Sequence, residues 1–506
     1  MKNYPLLILA LFLTSQLTTA QSLQNDLYGG ASILGEYHYL RLKPQDDKLL
    51  LRLPYTDVGI DYELEDLTES EKEITFTIIR FDERWTFSGN WENDQTLKGK
   101  VLLRGVPHDF VLHKMQSLSE EEWPRYLGTY RLPSGLILKV WERFNSLVVH
   151  SPVSERMNSL RNLGDQRFFT ATGEMYRFSK EKDGQFQQLE WTDQQGNRLV
   201  AERFKAYHSR DVTIFARKDT IAGTLFIPAA EGKHPACLIT PGAGRLDRTN
   251  NILEAQIFAG YGIATMVVDK PGTGQSSGDL WSNSFNDKRD LAVDLYRWMQ
   301  QQPELDASRI GLWGASQGSR IAVMAAAEIP EAAFLVLAAH PIETMMNVQL
   351  YAIEQHLRGQ FYPETIIVQT TNFWRKYYHQ VSEQKIDTSL VLEAQRLREN
   401  YPELYLPAMP DTRLPLSPHA TDVYSDPVDY LQPIKCPILS INGSLDERVP
   451  VQICVKRLEE ALQKNGHEDY TKLWYSGANH SFLLPGFRIA PGLFMQQVHW
   501  MRKRLF

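Results

Sequence analysis

After Tyr207 short apolar runs alternate with helical patterns, an order that calls for a mostly parallel sheet covered on both faces. A hairpin (Val212–Arg217, then Ile221–Ile227) leads to a predicted strand over Ala236–Thr240, a helix around Ile252–Ala259 and a strand over Ile263–Val268. A helix near Asp287–Gln301, a strand over Ile310–Trp313, a helix over Gln317–Ala327 and a strand over Ala333–Ala338 follow. The next strand, Pro437–Ile441, comes only after a long aromatic and helix-forming segment, 341–435, which is too long for a plain loop and predicts an inserted helical cap. A helix over Val451–Gln463, a strand over Thr471–Tyr475 and a helix near Leu493–Arg504 complete the pattern.

At 506 residues the chain holds more than one core, and the region before Tyr207 has a different texture. Alternating runs such as Ile74-Thr75-Phe76-Thr77-Ile78 and Gly99-Lys100-Val101-Leu102-Leu103 predict antiparallel strands with one buried face. This first β unit covers 21–118. A second, 119–207, opens with Tyr126-Leu127-Gly128-Thr129-Tyr130 and takes its turns at Gly184 and at Gly196-Asn197. With Arg167-Phe168-Phe169 midway, it resembles the small β domain appended to serine beta-lactamase-like and esterase-like proteins. The remainder, 208–506, is expected to form a third unit built on the parallel sheet, with the cap inserted at about 341–435.

The first twenty residues carry an address. Lys2 precedes an apolar run from Leu6 to Leu13 and then Ser15, Thr18, Thr19 and Ala20, the layout of a secretory signal peptide cut after Ala20. That run is too short to cross a hydrocarbon core of about 30 Å, so no membrane anchor is expected and the mature chain is secreted or periplasmic. The net charge of −7 lacks the basic footprint of a nucleic-acid binder. Three cysteines without a CxxC pair read as packed thiols.

The sharpest local motif is Gly314-Ala315-Ser316-Gln317-Gly318, directly after a predicted strand and before a predicted helix. Gly-x-Ser-x-Gly in that context places a serine on a tight, strained turn with its hydroxyl exposed at a helix N-terminus. A serine hydroxyl needs a base, and the base needs an orienting acid. Asp446 follows the strand at 437–441 and His480 follows the strand at 471–475, so each falls at the carboxyl end of a strand, where open sheets build sites. Glu447 is the rival acid. Arg245 and Arg248, just past a glycine turn, are surface arginines or holders of a substrate carboxylate; Trp281, Trp298 and Trp313 read as packing residues. The chain has no GxxxxGK[ST] or HExxH, and its glycines miss the GxGxxG spacing, so no cofactor or metal is called for.

On these residues the stretch from Asp211 to Phe506 resembles the α/β-hydrolase superfamily, and within it the secreted esterase and prolyl-oligopeptidase-like branch. The resemblance extends to Gly223-Thr224-Leu225, Thr240-Pro241-Gly242-Ala243-Gly244 and Asp269-Lys270-Pro271-Gly272-Thr273-Gly274. This chain has Pro241-Gly242 where the family usually has His-Gly, and Lys270-Pro271-Gly272 where Asp-Arg-Gly is common. The resemblance implies Ser316 as nucleophile, His480 as proton carrier, Asp446 as its orienting acid, and Gln317 and Ala243 as oxyanion-hole donors. The implied activity is cleavage of small-molecule carboxylic esters through an acyl-enzyme. A prolyl-oligopeptidase-like peptidase, an acyl-thioester hydrolase, an acyltransferase and an inactive extracellular binding protein stay open as alternatives.

Overall fold

A computed structural model describes residues 28–506 apart from 34–36, 46–47, 53–59, 71–72, 94, 143–145, 154–155, 171, 194, 405, 408–421 and 486–487. The export segment read at 1–20 lies outside the described residues. Contacts divide the chain into two units, one running to Phe204 and the other starting at Lys205.

In the first unit period-2 sequences become two sheets of nine strands. The first comprises β1 (Tyr28–Ile33), β2 (Tyr37–Gln45), β3 (Lys48–Arg52), β4 (Asp61–Glu63), β5 (Glu65–Glu69), β6 (Glu73–Arg80), β7 (Glu83–Asn93), β8 (Thr96–Leu103) and β9 (Val106–Lys114). The second comprises β10 (Gly128–Arg131), β11 (Ile137–Glu142), β12 (Leu147–Ser151), β13 (Arg156–Ser159), β14 (Arg161–Gly164), β15 (Arg167–Phe169), β16 (Met175–Lys182), β17 (Gln185–Thr192) and β18 (Arg198–Arg203).

The strand orders are β4-β3-β2-β1-β9-β8-β7-β6-β5 and β13-β12-β11-β10-β18-β17-β16-β15-β14. They are the same order displaced by nine strands. Each sheet closes its first strand on its last, through β1–β9 and β10–β18, and leaves as edges two strands adjacent in sequence. Alternation puts Phe76, Ile78, Phe87, Val101 and Leu112 in one core, and Tyr130, Val140, Phe168, Phe178 and Leu189 in the other.

The second unit is built on an eight-stranded sheet of β19 (Tyr207–Ala216), β20 (Asp219–Pro228), β21 (His234–Thr240), β22 (Ala264–Val268), β23 (Leu305–Ala315), β24 (Leu335–Ala338), β25 (Ile438–Gly443) and β26 (Tyr470–Tyr475). Its order is β19-β20-β22-β21-β23-β24-β25-β26, antiparallel over the first two pairings and parallel from β22 onward. Strands β21, β22, β24 and β25 are buried along their whole length, as crossover helices require of a parallel sheet. The helices flanking it are α1 (Ile252–Gly260), α2 (Phe285–Gln300) and α3 (Gln317–Ala327).

Among the described residues between β24 and β25 come three more α-helices, α4 (Met345–Gly359), α5 (Glu364–Ser382) and α6 (Thr388–Asn400). They bury Leu357, Phe373, Trp374, Leu390 and Leu397 in a core of their own. Helices α7 (Val451–Lys464) and α8 (Leu493–Leu505) follow; α1 packs on α8, and α2 on α3.

Candidate active site

Ser316 sits between β23 and α3 with φ 54° and ψ −125°, a backbone conformation that costs a non-glycine residue of order 1–3 kcal/mol and persists only when its surroundings impose it. The surroundings are visible. Its N–H donates to the Ala338 carbonyl at 2.9 Å, and the Ser319 hydroxyl lies 2.8 Å from the Gly314 carbonyl and 2.9 Å from that of Ala338. Thr240 Oγ1 lies 2.8 Å from the Gly318 carbonyl and 3.0 Å from that of Trp313. Both motif glycines answer to close approach: a Cβ on Gly314 would meet Gly318 O at 2.3 Å, and one on Gly318 would meet Thr240 O at 2.1 Å.

The acid and histidine loops are tied together at the ends of β25 and β26. A Cβ on Gly443 would meet the Ala478 carbonyl at 2.5 Å; Leu445 N–H donates to that carbonyl at 2.9 Å, and Gly477 N–H to Ser444 Oγ at 2.7 Å. Asp446, its side chain wholly buried, receives Arg448 N–H and Val449 N–H on Oδ1, each at 2.8 Å. Its Oδ2 stands 2.8 Å from Nδ1 of His480, which leaves Nε2 for chemistry. Glu447 instead accepts the main-chain N–H of His480 at 3.2 Å, so of the two neighbouring acids it is Asp446 that meets the ring. The hydroxyl of Ser316 makes no hydrogen bond to that ring.

The loop after β21 lies against the elbow: a Cβ on Gly242 would stand 3.4 Å from Ala315 O and 4.0 Å from Cβ of Ser316. Gln317 is the first residue of α3, where main-chain N–H groups have no acceptor within the helix. Ala243 is exposed two residues past Pro241. Beside Gln317 a small gap of about 50 Å³ is walled by the core residues Leu238, Val268, Leu295 and Ile321 and by Leu291, with Lys270 and Lys288 also lining it. Both ammonium groups turn to main-chain carbonyls, Lys288 to Asn283 O at 2.7 Å and Lys270 to Gly242 O at 2.8 Å.

Some residues fall elsewhere than the sequence places them. Arg248 is occupied: its main chain donates to Asp269 Oδ1 at 2.8 Å and its guanidinium to Gly223 O at 2.7 Å and to Gln275. It braces the loop and is not offered to a substrate carboxylate, whereas Arg245 is exposed. Trp313 packs, with Nε1 donating to Gln497 at 2.8 Å, but Trp281 is 60% exposed.

The structure also shows residues that no motif marks. Arg320, buried in α3, donates to Glu343 O at 2.6 Å and Ser425 O at 2.8 Å, pinning the start and the end of the helical insertion to the helix that follows Ser316. Burial brings its pKa down to about 10. Tyr351 of α4 donates to the Asp446 carbonyl at 2.9 Å. His340, wholly buried with Nε2 2.8 Å from Ser440 Oγ, is held by desolvation at a pKa of about 4 and stays neutral.

A strained serine on a strand-to-helix turn, with an aspartate–histidine pair at the ends of later strands of the same sheet, defines a serine hydrolase of the α/β-hydrolase superfamily. Residues 217–482, just over half of the chain, match the family model of the X-Pro dipeptidyl-peptidases (S15 family), and Ser316, Asp446 and His480 all lie within that span. The chain belongs to this family.

An uncharacterised 31.7 kDa protein from the traX-finO intergenic region of Escherichia coli is 22% identical over 303 residues, covering 58% of this chain and 99% of that protein. Among solved structures, the α/β hydrolase GrgF from Penicillium sp. sh18 is 16% identical with a TM-score of 0.40, covering 59% of this chain and 99% of its own. Est1E from Butyrivibrio proteoclasticus, solved with ferulic acid, is 14% identical with a TM-score of 0.37, covering 58% and 96%.

Proposed function

We propose that the protein is an exported serine hydrolase that cleaves carboxylic esters through an acyl-enzyme on Ser316. His480 Nε2 takes the proton as Ser316 Oγ attacks the acyl carbonyl, then returns it to the departing alcohol; a water repeats the cycle to release the acid. Asp446 holds the imidazole tautomer and answers the imidazolium charge. The N–H groups of Gln317 and Ala243 receive the oxyanion, each such donor being worth about 3–4 kcal/mol in the transition state.

The observation that carries this reading is the Asp446–His480 pair, with one carboxylate oxygen on the ring at 2.8 Å and the other fixed by two main-chain amides. The choice of ester over peptide follows the resemblance of 211–506 to secreted esterases on its Gly-x-Ser-x-Gly, acid and histidine motifs. The family match favours a second reading, removal of short N-terminal peptides ending in proline.

Labelling with a fluorophosphonate is expected at Ser316, and Ser316→Ala should lose the label and lower kcat by about 10⁵-fold or more, as for other triad nucleophiles. A panel of short-chain nitrophenyl esters beside X-Pro anilides separates the two substrates. Higher kcat/KM on the esters is the expected result; preferential anilide cleavage overturns the ester reading, and a wild-type protein that takes no label overturns both.

A further inference from the structure

We propose that Lys270 is a positioning residue that aims the oxyanion-hole N–H of Ala243, an inference resting on the serine-hydrolase reading above. The argument begins with the peptide unit. In a trans peptide the carbonyl of one residue and the N–H of the next point in opposite directions across a rigid plane, so fixing one fixes the other. The N–H of Ala243 shares its plane with the carbonyl of Gly242, and the described chain contains no cis peptide bond. Nζ of Lys270 donates to that carbonyl at 2.8 Å and also to the carbonyl of Gly244. One ammonium thus holds the carbonyls on both sides of Ala243 and turns the intervening N–H away from itself.

The loop has need of such a hold. Gly242 and Gly244 flank Ala243, Gly244 at φ 82°, so the segment has little stiffness of its own. Lys270 is itself anchored: its carbonyl accepts from Thr273 N–H and from Thr273 Oγ1, each at 2.9 Å, and the same hydroxyl lies 3.2 Å from Leu246 O. It also lines the gap beside Gln317, and the residue is only 7% exposed.

The charged groups around it are Lys288 of α2, directed to Asn283 O, and Asp269, whose oxygens are taken by the amides of Arg248 and Gln275. Burial, with Lys288 as the nearby like charge, brings the Lys270 pKa down to about 8. The ammonium that grips two carbonyls below that pH becomes a weaker amine donor above it. An arginine in its place would stay charged throughout.

The experiment compares wild type, Lys270→Met, Lys270→Arg and Ser316→Ala across pH 6 to 10, on whichever of nitrophenyl acetate or an X-Pro anilide the wild type turns over. Lys270→Met is expected to lower kcat by about 100-fold with KM changed less than about threefold, the effect of losing one oxyanion donor. Lys270→Arg should restore most of that loss. Wild-type kcat should decline above about pH 8, and the decline should vanish or move upward in Lys270→Arg.

A Lys270→Met kcat within threefold of wild type, or an alkaline limb identical in wild type and Lys270→Arg, overturns the proposal. The arginine comparison holds even where the methionine variant does not fold. Absence of Ser316-dependent turnover on either substrate is a separate outcome that sinks the hydrolase reading and this inference with it.

Discussion

The β region and the hydrolase unit use the same backbone rarity for opposite ends. In the second nine-stranded sheet Asp183 and Gly184, at φ 51° and 70°, close the β16–β17 hairpin, as a two-residue turn between twisted strands demands. In the first sheet Phe81 and Asp82 do the same between β6 and β7. Such turns are local, and a Cβ added at Gly184 would meet nothing within 4 Å. In the hydrolase unit Arg217, at φ 57°, closes the β19–β20 hairpin in the same way, but Ser316, at φ 54°, is enforced by Thr240, Gly314, Gly318, Ser319 and Ala338 from three strands and a helix. Strain spread over hairpins closes a sheet; strain concentrated at one turn, with neighbours that forbid relaxation, exposes a hydroxyl.

That contrast can be broken most sharply at the acid. Asp446→Asn should lower kcat by about 10⁴-fold by spoiling the imidazole tautomer, with thermal unfolding little changed. Glu447→Gln should stay within about tenfold, because Glu447 meets the histidine main chain and not its ring. Steady-state kinetics on the two variants checks the assignment, and a reversed ranking would mean that the other carboxylate serves the ring.

The two glycines sharpen it next. Gly318→Ala puts a methyl 2.1 Å from the Thr240 carbonyl and should destabilise by about 1–3 kcal/mol or more while displacing the elbow and lowering kcat. Gly184→Ala meets open space and should cost only the left-handed conformation, about 1–2 kcal/mol, with kcat unchanged. Chemical denaturation and kinetics on both variants decide whether crowding or φ dominates at each turn.

The smallest effect on activity is expected inside the second β sheet. Buried Glu174 accepts Trp191 Nε1 and Thr172 Oγ1, each at 2.9 Å. Glu174→Ala strands the indole N–H and should cost about 1–3 kcal/mol of stability without changing kcat. A large fall in kcat for folded protein would tie the β region to the chemistry.

Much of the hydrolase unit was legible because its cues are local. Helix Gln317–Ala327 begins where the motif says it must, since glycine, serine and a following alanine-rich helix are read within a dozen residues. Less was legible where partners are distant. The displaced identity of the two nine-stranded orders depends on β1–β9 and β10–β18, pairings made across the whole length of each module, and no short pattern announces them. Lys270 stood out in the sequence only as a departure from Asp-Arg-Gly, because its two acceptors lie 26 and 28 residues earlier on another loop. Arg320 carried no cue at all, its partners lying at the two ends of an insertion.

What the sequence determined alone is what periodicity and steric rules act on within a few residues: alternation that makes strands, the apolar faces of helices, and a turn only a Gly-x-Ser-x-Gly segment tolerates. Tertiary structure decided which carboxylate oxygen faces the imidazole, which carbonyls an ammonium grips and which arginine is left exposed. The physical reason is that side-chain direction at the ends of strands comes from packing between segments far apart in the chain, and no local repeat carries that information.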